Sequence, residues 1–445
     1  MPLIYLHTDK PVPSKLHQNH QAKTQLISVM RNLLIATIIL LSGLTHAQDT
    51  ERQQGLGLQE AITKTLERNP SLRAFGYQLR AQEGRILQAG VKPPPELSVM
   101  VENVLGSGEN DVLRGAQTTF SIAWILDHGV TRRRTAAENA TLDMMAVDMD
   151  VSRLDAAAET ARLYLNCLAL QTQMLNAVAA ISQAQVTVEA VADKVNAGSV
   201  PTAELARART ELATRELLRE DIEHETLAGY HLLAEQWGLT APDFTSVGGN
   251  VLAIPKLQDF NALVSRIEQS PDISRFLSQQ RMYEAQLRLA EASRKANWRV
   301  SAGLRQLELT GDHAFVMDIN VPLTRPDSNR GRLEEARANL SRTEAEAEAE
   351  RVHIQTTLYV IYLELQRYIE VAAALRDNII PLHEEALAET QNAYDIGRYS
   401  YLELATVQTD LLEARNELVD VSIEAHRRII EIERFTGLSI EANQP

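Results

Sequence analysis

Cysteine is almost absent. Cys167 stands alone in 445 residues, which excludes an internal disulfide and a thiolate metal cage. Aromatic residues make up only 5%, and Ala, Leu, Glu and Arg dominate, a composition that favours helix. After residue 47 no run of 18 apolar residues occurs, so that part of the chain encodes no membrane-spanning helix. Positive charge is also in deficit. Residues 1–47 hold four basic side chains and one acid, leaving 40 basic and 58 acidic, a net charge of −18. Such a chain is not expected to bind nucleic acid. His128, His224, His231, His313, His353, His383 and His426 are scattered without ligand spacing, so neither a metal site nor a cofactor is expected. No nucleophile–base pairing or phosphate loop appears, so the chain does not read as an enzyme.

The one long apolar stretch lies early. Residues 30–47, MRNLLIATIILLSGLTHA, carry a positive start at Arg31, an apolar core from Leu33 to Leu41, and a small-x-small end at Thr45-His46-Ala47. That is the pattern of a secretory signal peptide. Residues 1–29 read as an unstructured leader or a mis-assigned start, with Met30 as the candidate first residue. Gln48, not cysteine, follows the cleavage site, which argues against an N-terminal lipid anchor.

Beyond the signal the chain repeats itself. The cadence Gly-x5-Glu-Leu-Ala-x3-Thr-[acid]-Leu occurs at Gly198 and again at Gly397, and runs in phase to Trp237-Gly238-Leu239 and Thr436-Gly437-Leu438. Asn69-Pro70 and Ser270-Pro271 open a helix in each copy, with the cap residue before a proline at the first helical position. The duplication is about 200 residues long. It divides the chain into a first repeat (48–240), a linker (241–260) and a second repeat (261–445).

Each copy places a β hairpin after its opening helix, over 96–126 and 298–323. The alternation is the informative part. Phe120, Ile122 and Trp124 share one face, as do Phe315, Met317 and Ile319, while Asp318 and Asn320 fall on the other. Apolar residues backed by small or polar ones suit a water-soluble sandwich, and equally a barrel with lipid outside and water inside.

A long helix follows each hairpin, over 131–197 and 330–396. Glycine is absent from the first and, past Gly331, from the second; Pro381 is the only proline in either. At 1.5 Å per residue each spans roughly 100 Å. The second has a heptad from Ile354 through Leu358, Ile361, Leu365, Tyr368, Ala372, Leu375, Ile379 and Leu382 to Ala386; the first has the sparser series Met174, Ile181, Val188, Val195. Such seams need helical neighbours. Pro381 predicts a local kink. Gly198 and Gly397 end the two helices, and the chain returns over 201–236 and 400–436. One chain therefore has too few strands to close a barrel, since closure takes about eight, and more seam than it covers. Oligomerisation cures both deficits.

Over residues 56–440 the sequence resembles the TolC-like outer-membrane factors, the exit ducts of Gram-negative efflux and secretion systems. The carriers are Asn69-Pro70; Pro93-Pro94-Pro95-Glu96-Leu97-Ser98 with Val101-Glu102-Asn103; Val321-Pro322-Leu323 through Asp327-Ser328-Asn329-Arg330-Gly331; and the two tip turns. The resemblance is strongest to the heavy-metal (CzcC/CusC-like) branch, although Thr324-Arg325-Pro326 replaces part of that branch's pattern. It implies a mainly α fold with a small β part: long helical hairpins forming a periplasmic α-barrel, and four strands contributed to a trimeric 12-stranded outer-membrane β-barrel. It implies a homotrimer extending into the periplasm, partnered by a periplasmic adaptor (membrane-fusion) protein, an inner-membrane pump of RND type and outer-membrane lipid. The expected role is a passive exit duct for heavy-metal cations. Drug efflux, type I protein secretion, and a soluble periplasmic coiled-coil scaffold are the alternatives.

Site residues follow from the same resemblance. Glu403 is placed at the closing tunnel mouth as a gate, and Glu204 is its counterpart in the first copy. Gly198, Val200, Glu204, Gly397, Tyr399 and Tyr401 mark the tips that would dock the adaptor, with apolar area expected at Val200, Tyr399 and Tyr401. Asp318 and Asn320 would face the barrel lumen. Arg132, Arg133 and Arg134 would sit where barrel meets tunnel.

Overall fold

The computed structural model describes residues 55–110, 114–295, 297–323 and 329–437. The signal segment 30–47, the leader before it and Thr324-Arg325-Pro326 lie outside the described residues. In each repeat two helical pieces precede a hairpin and two long helices follow it. The first repeat contains α1 (Leu58–Arg68), α2 (Pro70–Ala89), β1 (Glu96–Glu102), β2 (Gln117–Leu126), α3 (Val130–Asn196) and α4 (Thr202–Glu235). The second contains α5 (Phe260–Val264), α6 (Pro271–Ala292), β3 (Trp298–Leu307), β4 (His313–Asn320), α7 (Arg330–Ala374), α8 (Ile380–Asp395) and α9 (Tyr401–Thr436). Residues 55–56 and 244–248 form a small unit of their own, in which Leu56 and Val247 make a parallel bridge.

Matching contacts close both repeats. Asn69 accepts from the amides of Ser71 and Leu72 at 2.9 and 3.1 Å, capping α2, and its side-chain amide donates to the Gln236 carbonyl at 2.8 Å. Beyond α4 the chain turns on Gly238 (φ 81°), where an added Cβ would lie 3.2 Å from Pro70. Beyond α9 it turns on Gly437 (φ 64°), where an added Cβ would lie 3.4 Å from Pro271. In each repeat the end of the return helix is thus seated on the proline that opens α2 or α6.

The helices pack by seams. In α3 the buried positions Leu170, Ala177, Ala184 and Val191 recur every seven residues. They interleave with the half-buried series Met174, Ile181, Val188, Val195 to complete the four–three alternation. In α7, Ile354, Leu358, Ile361 and Leu365 are buried against Ala425 and Ile432 of α9 and Leu263 of α5.

The heptad expected to continue through Ile379, Leu382 and Ala386 does not. All three are exposed, and burial passes to Thr390 and Tyr394. A π-helical turn over Leu375–Ile379 accounts for the change. One extra residue in a turn rotates everything downstream by about 100°, moving the former seam off the contact. Pro381, just beyond, has no N–H to offer the ladder, and a widened turn accommodates its ring. The disturbance therefore begins six residues before the proline.

Among the described residues there is one antiparallel sheet, ordered β1-β2-β3-β4, so β1 and β4 are its open edges. The register aligns whole rows across the strands. Val99, Phe120, Leu304 and Phe315 form one row, and Leu97, Ile122, Ala302 and Met317 the next. Trp124, Val300 and Ile319 form a third, with Leu126 opposite Trp298. Gly303 lets the strands close: a Cβ there would run into the Phe120 carbonyl and the Ser121 side chain.

Candidate functional site: a two-faced sheet and a pair of helical tips

The apolar rows cover most of one face of the sheet, and the row Val101, Thr118, Gln306 and His313 completes it. Twelve of its large side chains are exposed, among them Phe120 at 55%, Leu304 at 64%, Phe315 at 71% and Leu97 at 74%. Ile122, Trp124, Met317 and Ile319 belong to the same set. Each would gain roughly 1.5–3 kcal/mol on burial. Twelve together exceed the usual stability margin of about 5–15 kcal/mol, so water is not the solvent this face is built for.

The opposite face is polar. Its rows include Ser98, Ser121 and Gly303, then Glu96, Ala123, Ser301 and Asp318, with Arg299 opposite Asn320. Arg305 ties three strands together: it donates to Thr119 at 2.9 Å and Gln117 at 3.2 Å, and pairs with Glu102 at 3.2 Å. Arg299 pairs with Glu96. Both strand arginines are therefore matched by a glutamate. Asp318 has no cationic partner among the described residues, which leaves it as the uncompensated charge of this face.

At the far end of the long helices lie two tip turns. Gly198 (φ 71°) and Gly397 (φ 76°) both sit in the left-handed region. Around them Ser199 N–H donates to Lys194 O, and Arg398 N–H donates to Ala393 O, the same six-to-one closure in both copies. Fold and sequence placement bring the two turns together. Lys194 Nζ donates to the carbonyls of Tyr394 at 2.6 Å and Asp395 at 3.1 Å, and lies 4.2 Å from the Tyr394 ring centroid. A cation thus caps the C-terminal end of α8, where the helix dipole is negative. Val191, Ala208, Tyr394, Tyr401 and Leu404 are buried together beneath this contact.

Comparison with known proteins gives these features a family. Residues 61–238 match the model described as outer membrane efflux protein. Over that segment the chain is similar to that family. It is 24% identical over 382 residues to the cobalt-zinc-cadmium resistance protein CzcC of Cupriavidus metallidurans, covering 86% of this chain and 90% of CzcC. Its fold is similar to that of CusC, at a TM-score of 0.70 and 16% identity over 85% of this chain and 91% of CusC. It is also similar to the outer membrane protein VceC of Vibrio cholerae, at a TM-score of 0.67 and 18% identity over 85% and 96% of the two chains. The matched model describes an efflux protein of the outer membrane, a setting in which surfaces and charges are the working parts.

Individual residues fall out as follows. Tyr401 does not offer apolar area at the tip. It is only 4% exposed, because the first residue of α9 turns inward onto Leu404 and Tyr394, and burial raises its phenol pKa. The exposed tip surface is instead Tyr399 at 47%, Ile396 at 66% and Leu402 at 60%, with Val200 half-buried. Sequence reading missed Ile396 and Leu402, although both flank Gly397 and neither belongs to a seam. Burial and the charge of Glu204 push Tyr394 up to about 12. Glu204 is half-buried, with an Oε2 atom that makes no hydrogen bond. Glu403 is exposed, and its Oε2 accepts from the Ser400 amide at 2.7 Å and the Ser400 hydroxyl at 3.0 Å, forming a capping box at the start of α9. Cys167 is fully buried, and burial pushes its thiol up to about 12, so it is inert. Among the described residues no group of three His, Cys, Asp or Glu side chains is placed to hold a metal ion.

Proposed function

We propose that three copies of this chain assemble into a single duct. Their sheets join edge to edge into a 12-stranded barrel, and their helical hairpins join into a periplasmic tunnel. The observation that supports this most strongly is the sheet: one face mostly apolar, the other mostly polar, and two open edges in an even-stranded antiparallel order. In such a sheet β4 of one copy runs antiparallel to β1 of the next, so threefold closure removes every edge. Phe120, Ile122, Trp124, Phe315, Met317 and Ile319 then face lipid, and Asp318 and Asn320 face the lumen. The two repeats, 48–240 and 261–445, each supply one hairpin and one pair of long helices, joined through 241–260.

The cargo we propose is heavy-metal cations. The likeness to CzcC supports it, as do the net negative charge and the unpaired Asp318, whose three copies would form a ring of negative charge inside the barrel. With no built metal site among the described residues, the ion would pass without being held. A periplasmic adaptor would meet the tips at Gly198, Val200, Gly397 and Tyr399, and an inner-membrane pump of RND type would supply the energy. Glu403, brought to a threefold axis, would gate the tunnel mouth.

The test is reconstitution of the purified chain in planar bilayers with a zinc chloride gradient. A trimer by mass in detergent that conducts with cation preference is expected. A water-soluble, well-folded monomer that forms no pore would refute the duct. A pore that prefers anions would refute the cargo while leaving the duct standing.

A further inference from the structure

Where the sheet meets the helices there is a cavity of about 340 Å³. His128, Gly129, Arg132 and Arg133 enter it from the start of α3, and Arg288, Glu291, Ala292 and Lys295 from the end of α6. Four cationic side chains face one carboxylate. Arg288 is engaged by Glu284 at 3.5 Å. Arg132, Arg133 and Lys295 have no acidic partner among the described residues. The nearby Asp127 does not neutralise them: its carboxylate accepts from the amides of Gly129 at 3.2 Å and Thr131 at 2.9 Å, capping α3. Arg132 curls back over Gly129, its guanidinium 3.8 Å from where a Cβ would stand.

One contact ties this cavity to the sheet. His128 packs edge-on against Trp298, with ring centroids 5.2 Å apart. Trp298 lies on the apolar face of the sheet, beside Leu126 and one row from Trp124. His128 also lines the cavity, which ties the cavity to the helix end of the strands, next to a residue of the apolar face. Tryptophans at the end of an apolar band mark the membrane–water boundary, where they sit at headgroup level. Unpaired arginines at that depth meet phosphate, and a guanidinium fork binds phosphate oxygens two at a time.

We propose that this cavity binds the phosphate of an anionic phospholipid in the periplasmic leaflet, through Arg132, Arg133 and Lys295. The inference rests on the reading that the sheet lies in the membrane. Three unpaired cations near a charged leaflet correspond to a preference for anionic over zwitterionic lipid on the order of a hundredfold.

The experiment uses the full chain, purified in neutral detergent and delipidated, with bound lipid counted by native mass spectrometry. Wild type should retain phosphatidylglycerol and release phosphatidylcholine. The R132Q/R133Q/K295Q variant should lose that preference, and R132K/R133K should keep most of it. Retention of phosphatidylglycerol by the triple variant at the wild-type level would overturn the site. Excess inorganic phosphate in a separate arm should displace little lipid. If phosphate alone occupies the cavity and displaces the lipid fully, the lipid source is overturned and only the phosphate chemistry survives. Flotation with vesicles of either lipid separates the two readings. A chain that inserts in both without preference refutes this site alone, and one that inserts in neither refutes the duct as well.

Discussion

Replacing Lys194 with methionine keeps the length of the stem and removes the charge. In the native tip the ammonium donates to two carbonyls at the end of α8, at 2.6 and 3.1 Å, and lies 4.2 Å from the Tyr394 ring centroid. A charge-assisted hydrogen bond is worth about 1.5–3 kcal/mol when shielded, and a cation–π contact about 0.5–1 kcal/mol. Lys194 is only half-buried, so water recovers much of this when the contact breaks. A net local loss of about 2 kcal/mol is a reasonable size, which is roughly thirtyfold in the opening equilibrium. Hydrogen exchange at the amides of residues 391–399 reads that opening directly. Exchange should speed up roughly thirtyfold there and stay unchanged at the Ile354–Leu365 seam, and Lys194→Arg should recover part of the protection. Unaltered tip exchange in Lys194→Met would show that the two turns are held by Tyr394, Tyr401 and Leu404 alone.

Other consequences are as direct. Gly303→Val places a side chain against the Phe120 carbonyl, so β2 and β3 should separate; a cost of about 1–3 kcal/mol or more is expected, read as loss of heat-resistant oligomer on gels. His426 is buried with Nε2 3.0 Å from the Val251 carbonyl, and burial lowers its pKa from the ordinary 6.5. Below about pH 6.5 the unfolded chain therefore binds more protons than the folded one, so stability should fall as pH drops from there and be flat above it. Urea midpoints across pH 5–7.5 should show this slope, and His426→Gln should flatten it. Glu403→Gln keeps a capping-box acceptor for Ser400 while removing the charge. A rise in basal conductance in this variant, with unchanged melting, supports a gate; unchanged conductance confines Glu403 to its cap.

Much of the sheet is legible in the order of residues alone. Alternation is local, with a period of two, so Phe120, Ile122, Trp124 and Phe315, Met317, Ile319 declared a common face from the order of residues alone. The tip glycines were equally plain, because only a residue tolerant of positive φ ends a helix that way. The α3 seam was half visible. Met174, Ile181, Val188 and Val195 stand out by size, whereas Leu170, Ala177, Ala184 and Val191, two of them alanine, do not announce themselves as core. The exposed tip side chains Ile396 and Leu402, and the inward turn of Tyr401, were not readable, since a residue one step from a turn can face either way.

What residue order settled, then, was what has a short period: the helix and strand spans, the two faces of each strand and the turns that reverse the chain. What needed three dimensions was every relation between residues far apart in the chain. Lys194 finds Tyr394 across two hundred positions, Arg305 finds Glu102 across three strands, and Arg132 and Lys295 come to line one cavity. The phase of the seam past Leu375 also belongs here, because one residue added to a turn rotates every later side chain, and packing alone decides whether that residue is taken in.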